Sequence, residues 1–147
     1  MAYISVPYVW RTIPQRYRLV AARCKECGTI NFPPRRICIG CNKPTEFEEV
    51  KLSGRGKIYS YTVIARGATV YEQADEALVG GSFAVALVEL EEGVRVIAQL
   101  TDCDPYKVEV GMEVEAVLRR VYEQDGIIRY GLKFRPVRFP GRSQPKR

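Results

Sequence analysis

Cys24, Cys27, Cys38 and Cys41 form a C-x2-C-x10-C-x2-C pattern. Two residues between cysteines allow a tight turn that aims both thiolates at one ion. Two such knuckles facing each other supply a tetrahedral S4 shell, which Zn2+ accepts. A catalytic zinc keeps one position open for water or substrate, whereas four thiolates close the shell. The chain contains no histidine to build another site. The expected cofactor is therefore one structural zinc. Iron in a rubredoxin-type site would accept the same four sulfurs, and the larger intracellular zinc pool favours zinc. Two disulfides would require an oxidising compartment, and no apolar signal segment follows Met1.

Other chemistry is thin. The fifth cysteine, Cys103, lies in Thr101-Asp102-Cys103-Asp104-Pro105 with no histidine to activate it, so a free thiol in a turn is expected. Zero histidines also remove the commonest general base. No Walker loop, dinucleotide fingerprint or H-E-x-x-H helix occurs, and Gly54-Arg55-Gly56 alone signals only a turn. Asp102 with Asp104 and Glu91 with Glu92 sit in turn-forming sequence, where backbone preferences account for them. These absences argue against an enzyme. A hydrolase acting on acyl-CoA thioesters is the catalytic alternative, and it would have to use Lys, Glu or Tyr without a motif.

The elements that must position the cysteines follow from local pattern. Pro14 is suited to start a short helix over Gln15 to Val20. Between the knuckles, Thr29-Ile30-Asn31-Phe32 reads as a short strand ended by Pro33-Pro34. Beyond residues 46–52 the composition turns to β-branched and aromatic runs at Lys57–Ile64, Ser82–Leu90, Val94–Thr101, Glu113–Tyr122 and Ile127–Val137. Five strands in so short a span, with an acidic insertion at 70–80 and a loop at 102–111, suit a small Greek-key barrel of the oligonucleotide/oligosaccharide-binding (OB) type. Phe83, Val85 and Leu87 share one strand face, as do Met112, Val114, Ala116 and Leu118, and these faces are expected to point inward.

The expected fold is thus mainly β: an N-terminal rubredoxin-like zinc ribbon with a short preceding helix, then a five-stranded Greek-key OB-fold barrel. The expected divisions are 1–47 for the helical segment and ribbon, 48–137 for the barrel and 138–147 for a basic tail. The 147-residue chain has ordinary globular composition, 46% hydrophobic and 27% charged. The first 47 residues hold few aliphatic side chains, so the metal must compensate for a thin core. No apolar run is long enough to span a membrane, and a cytoplasmic protein is the expectation.

A net charge of +6 suggests nucleic acid until it is located. Residues 129–147 hold seven Lys or Arg and no Asp or Glu, which leaves the preceding residues at −1. A single-stranded nucleic-acid-binding module remains the alternative function, with Tyr59, Tyr61, Tyr122 and Tyr130 as base-stacking candidates.

Taken together, Tyr17-Arg18-Leu19-Val20, Cys24-Lys25-Glu26-Cys27-Gly28, Phe32-Pro33-Pro34-Arg35 and Gly54 through Val63 resemble the zinc-ribbon plus OB-fold family of acyl-CoA-associated proteins, once labelled only as a domain of unknown function. The resemblance runs from about Trp10 to Pro136, including Gly111-Met112-Glu113-Val114 and Tyr130 through Pro136. It implies a non-catalytic subunit that works with thiolase-type enzymes. The chain is most similar to the archaeal branch, which bridges acetoacetyl-CoA thiolase and hydroxymethylglutaryl-CoA synthase at the start of the mevalonate pathway. Partner docking is then expected at Trp10, Arg11, Tyr17 and Arg18, since Trp, Tyr and Arg dominate interface hot spots. For acyl-CoA, the candidate phosphate contacts are Arg35, Arg36, Arg55, Lys57, Lys133 and Arg135, chosen for charge and for placement at knuckle, turn and final strand.

Overall fold

The computed structural model describes residues 6–65, 81–124 and 127–137. The acidic insertion at 70–80 and the basic tail at 138–147 lie outside the described residues.

The helix is longer and earlier than the sequence suggested. Helix α1 spans Val6–Arg18 and contains Pro14, with Pro7 in its first turn. Proline is harmless in a first turn, where its missing N–H would have had no partner, so Pro7 rather than Pro14 does the starting. Arg16 and Arg18 occupy the last turn, where cations suit the negative end of the helix. The helix stops at Leu19, which takes a left-handed φ of 52°. Such a conformation is costly for a side chain other than glycine. It persists because the Leu19 side chain is buried in the main core and its carbonyl accepts the Leu52 N–H at 3.0 Å.

Val20, placed in the helix by the sequence reading, instead opens strand β1 (Val20–Cys24). β1 is the centre of a three-stranded antiparallel sheet, flanked by β2 (Ile30–Asn31) and β3 (Phe47–Lys51). Its register sets Cys24 opposite Phe47 and Val20 opposite Lys51.

Five more strands build the barrel: β4 (Arg55–Ile64), β5 (Phe83–Leu90), β6 (Arg95–Gln99), β7 (Glu113–Gln124) and β8 (Ile127–Pro136). Their order is β6-β5-β4-β7-β8. A parallel bridge between Leu100 and Phe134, with Thr101 N–H donating to the Phe134 carbonyl at 2.8 Å, nearly closes the sheet on itself. This is the five-stranded OB arrangement. Gly56 is not part of a turn but lies within β4, where a Cβ would strike the Glu89 carbonyl oxygen on β5. Only glycine permits that approach of the two backbones. Tyr59 is the extra residue of a bulge between Ile58 and Ser60, and its ring projects outward under the Arg95 guanidinium at 3.7 Å.

Ile58, Val88, Val108, Val114 and Phe134 are fully buried. On β5 the inward face is Ala84, Ala86, Val88 and Leu90, not the expected Phe83, Val85 and Leu87; Phe83 is buried, while Val85 and Leu87 are only half-buried. Both faces of this strand are apolar, so alternation cannot choose between them. Packing does, since a small barrel accommodates two alanines inside more readily than larger side chains. On β7, Val114 points inward as expected, but Leu118 is half exposed because the β7–β8 pair continues past the barrel.

Candidate metal centre and the cleft beside it

Each cysteine pair sits on the same local hydrogen-bond pattern. After Cys24, the Gly28 N–H donates to the Cys24 carbonyl at 2.9 Å and the Cys24 N–H to the Thr29 carbonyl at 2.9 Å. After Cys38, the Asn42 N–H donates to the Cys38 carbonyl at 3.0 Å and the Cys38 N–H to the Lys43 carbonyl at 3.1 Å. Gly28 at φ 72° and Asn42 at φ 54° supply the left-handed residue each knuckle needs, and glycine and asparagine are the residues that tolerate it.

The four sulfurs lie within 4.8 Å of one another. Cys24 and Cys41 Sγ are 3.9 Å apart and Cys27 and Cys38 Sγ are 3.5 Å apart. A tetrahedral zinc with bonds of about 2.3 Å requires sulfur separations of about 3.8 Å, so the shell fits. None of the five cysteines is in a disulfide. The centre is a closed S4 site for one structural zinc.

Its surroundings favour thiolates unevenly. The Cys38 thiol is held down to about 6, first by the backbone N–H of Cys41 and then by Asn31 and the Gly40 N–H against an opposing burial effect. Cys24 is also lowered, chiefly by the Thr45 hydroxyl 3.2 Å away. Burial pushes Cys41 up to about 11, so it is the metal that must take this proton off at neutral pH. Asn31 ties the two knuckles together. Its Oδ1 accepts the Ile39 N–H at 2.9 Å, while Nδ2 donates to the Thr29 carbonyl at 3.1 Å and approaches Cys38 Sγ at 3.6 Å. Sequence reasoning took Asn31 only as part of a strand. The available signal was a polar side chain in a short apolar strand between two knuckles. Cys103 is half-buried against the core, and its thiol is raised by burial and by Asp102 and Asp104.

The other expected site residues do not form one cluster. Arg35 and Arg36 are exposed on the loop before Cys38. Arg55 and Lys57 are exposed on β4. Glu115 on β7 stands in register between Arg55 on β4 and Arg135 on β8. Its carboxylate is bound to the Arg135 guanidinium at 2.6 Å. Lys133 is 4% exposed. On α1, Trp10 is 71% exposed and Arg11 and Arg18 are exposed, while Tyr17 turns toward the barrel.

Tyr17 and Lys133 meet in a cleft of about 520 Å3 that sequence reasoning missed. One wall is α1; the others are Phe32 and Pro33 of the ribbon and residues of β5, β6 and β8. Residues distant in the chain converge there, which no local pattern discloses.

Family models match both parts of the chain: the rubredoxin-like zinc ribbon domain of ChsH2 over residues 11–48, and the C-terminal OB-fold domain of ChsH2 over residues 49–119. A DUF35 domain-containing scaffold protein of Methanocaldococcus jannaschii is 48% identical over 130 residues, covering 87% of this chain and 88% of that one. The chain belongs to the DUF35 family. The benzoylsuccinyl-CoA thiolase subunit BbsA of Thauera aromatica is 33% identical over 116 residues, covering 78% of this DUF35 chain and 74% of that one. A solved structure described as an Ltp2-ChsH2(DUF35) aldolase superposes with a TM-score of 0.66 at 28% identity, covering 92% of this chain and 98% of its counterpart. Among the described residues, no helix is long and apolar enough to cross a membrane.

Proposed function

We propose that this DUF35 chain is a non-catalytic accessory subunit of acyl-CoA metabolism, a scaffold that bridges acetoacetyl-CoA thiolase and hydroxymethylglutaryl-CoA synthase at the start of the mevalonate pathway. The observation that carries the scaffold reading is the 48% identity, over most of both chains, to a protein named as a scaffold. The BbsA relative, a thiolase subunit by name, supports a partner of thiolase type. The closed thiolate shell and the absence of histidine agree with a chain whose partners perform the chemistry.

In this reading residues 1–47 present the docking surface, with Trp10, Arg11 and Arg18 outermost and Tyr17 behind them. The barrel of residues 48–137 and the basic tail of 138–147 complete the bridge. Arg35, Arg36, Arg55 and Lys57 are its candidate contacts for CoA phosphates, with Lys133 and Arg135 less accessible. Affinity purification of the chain from source cells tests the proposal. Both enzymes should co-elute, and Trp10→Ala should lower their recovery while leaving the melting temperature unchanged. Recovery of the native chain with neither enzyme refutes it.

Of the stacking candidates in the nucleic-acid alternative, the Tyr59 ring is engaged by Arg95, Tyr61 and Tyr130 are exposed, and the Tyr122 side chain lies outside the described residues. That alternative predicts steeply salt-dependent binding of single strands. A flat titration with RNA and DNA removes it.

A further inference from the structure

The cleft between α1 and the barrel has the composition of a ligand site. Its volume of about 520 Å3 falls in the range, roughly 300–1,000 Å3, of pockets that hold small organic molecules. Much of its wall is apolar, with Leu19, Phe32, Val96, Ala98 and Leu132 among the lining. Among the described residues, the charged ones that line it are Arg16, Arg129 and Lys133, with no Asp or Glu. Lys133 is 4% exposed, so one of these cations has been brought almost entirely out of water.

Two polar atoms in this cleft are buried without a hydrogen-bond partner: Arg129 Nε, a donor on β8, and Gln15 Oε1, an acceptor on α1. Buried polar groups are normally paired, and leaving one unpaired costs about 1–3 kcal/mol. They are the only such side-chain atoms among the described residues, and both line the same cavity. Arg16, the third cation, lies over the Tyr8 ring at 5.4 Å, at the helix side of the cleft.

We propose that this cleft binds an amphipathic organic anion. A carboxylate or phosphate would face Arg129 and Lys133, an apolar chain would lie on Phe32 and Leu132, and a hydroxyl or amide N–H would donate to Gln15 Oε1. The missing acceptor for Arg129 and the missing donor for Gln15 define the two ends of the ligand's polar requirement. Free acyl carboxylates and the phosphopantetheine arm of CoA both meet it. The inference stands on this chain's own side chains and not on any partner enzyme. Its failure would leave the docking proposal untouched.

Calorimetric titration of the isolated zinc-loaded protein tests it. 3-Hydroxyoctanoate should bind one per chain, octanoate several-fold more weakly, and inorganic phosphate or octanamide at least tenfold more weakly. Arg129→Gln should weaken 3-hydroxyoctanoate at least tenfold. Gln15→Leu should erase the preference for the hydroxylated acid and, lying on the helix rather than the barrel, keeps the test open if Arg129→Gln does not fold. CoA binding with the same sensitivity to Arg129→Gln assigns the site to the phosphopantetheine arm. Binding of the acid but not of CoA assigns it to free acyl carboxylates. No saturable binding of either at millimolar concentration, or binding indifferent to both substitutions, overturns the proposal.

Discussion

Replacing Asn31 separates the metal's own contribution from that of the frame around it. In Asn31→Leu the volume is kept, but the Ile39 N–H loses its acceptor at 2.9 Å. The Thr29 carbonyl loses one donor and keeps another, the Cys24 N–H at 2.9 Å. Asn31 is fully buried, so no water replaces its amide directly. One orphaned donor costs about 1–3 kcal/mol and one lost supplementary bond about 1 kcal/mol, giving about 2–4 kcal/mol before the gain from a buried leucine. A net loss of about 2–3 kcal/mol lowers the melting temperature by about 4–12 °C in a chain of this size. Nδ2 also approaches Cys38 Sγ at 3.6 Å, and groups that orient metal ligands are worth about tenfold to a hundredfold in affinity.

Circular dichroism melts of the zinc-loaded protein read the first effect, and competition with a chromophoric chelator reads the second. Asn31→Asp distinguishes the two. It keeps an oxygen for the Ile39 N–H but removes the donor to sulfur and sets a carboxylate beside four thiolates. Its zinc affinity should fall below that of Asn31→Leu. Unchanged melting and unchanged chelator competition in Asn31→Leu would refute the assignment. Tighter zinc binding by Asn31→Asp than by Asn31→Leu would show that the acceptor for the Ile39 N–H outweighs the charge set beside the thiolates.

Three further outcomes follow from the same geometry. Gly56→Ala should cost about 3 kcal/mol or more in urea denaturation, because β4 or β5 must shift. Gly93→Ala, at φ 77° with open space around it, should cost only about 1 kcal/mol, and equal losses would contradict the packing argument. Zinc binding at pH 7.5 should release fewer than four protons in buffer-dependent calorimetry. Cys38, lowered to about 6, is already largely thiolate there, whereas Cys41, raised to about 11, must give up its proton; the number released should rise as the pH falls through 6. Chelation should lower the melting of ribbon and barrel together, since Leu19 and Ala21 belong to the same buried cluster as Phe134. Two separated transitions would show that the metal stabilises the ribbon alone.

The metal site was legible in the sequence because a knuckle is local. The C-x2-C spacing and the following Gly28 or Asn42 specify the turn without reference to the rest of the chain. The five barrel strands were legible for a related reason, since β-branched runs between turns mark strands wherever they later pair. What depends on tertiary partners was not. β1 and β3 were missed because Val20–Cys24 and Phe47–Lys51 are short and mixed in composition, and only their mutual pairing makes them a sheet. The inward face of β5 was misassigned because both faces are apolar. The cleft was invisible because Gln15 and Arg129 lie more than a hundred positions apart.

The structural role expected of the zinc takes the form of a clamp in this fold. β1 ends on Cys24 and begins one residue after Leu19, the residue that stops α1. The metal therefore fixes one end of a five-residue strand whose other end sets where the helix leaves the core. Leu19 is locked to Leu52 by a backbone hydrogen bond and packs close to where Gly54 enters the barrel. Helix α1, one wall of the cleft, is thus linked to the sulfur shell through β1 and to the barrel through Leu19. A closed tetrahedral centre suits this purpose better than a reactive one, because a ligand exchangeable for water would leave β1, and the helix it carries, free to move.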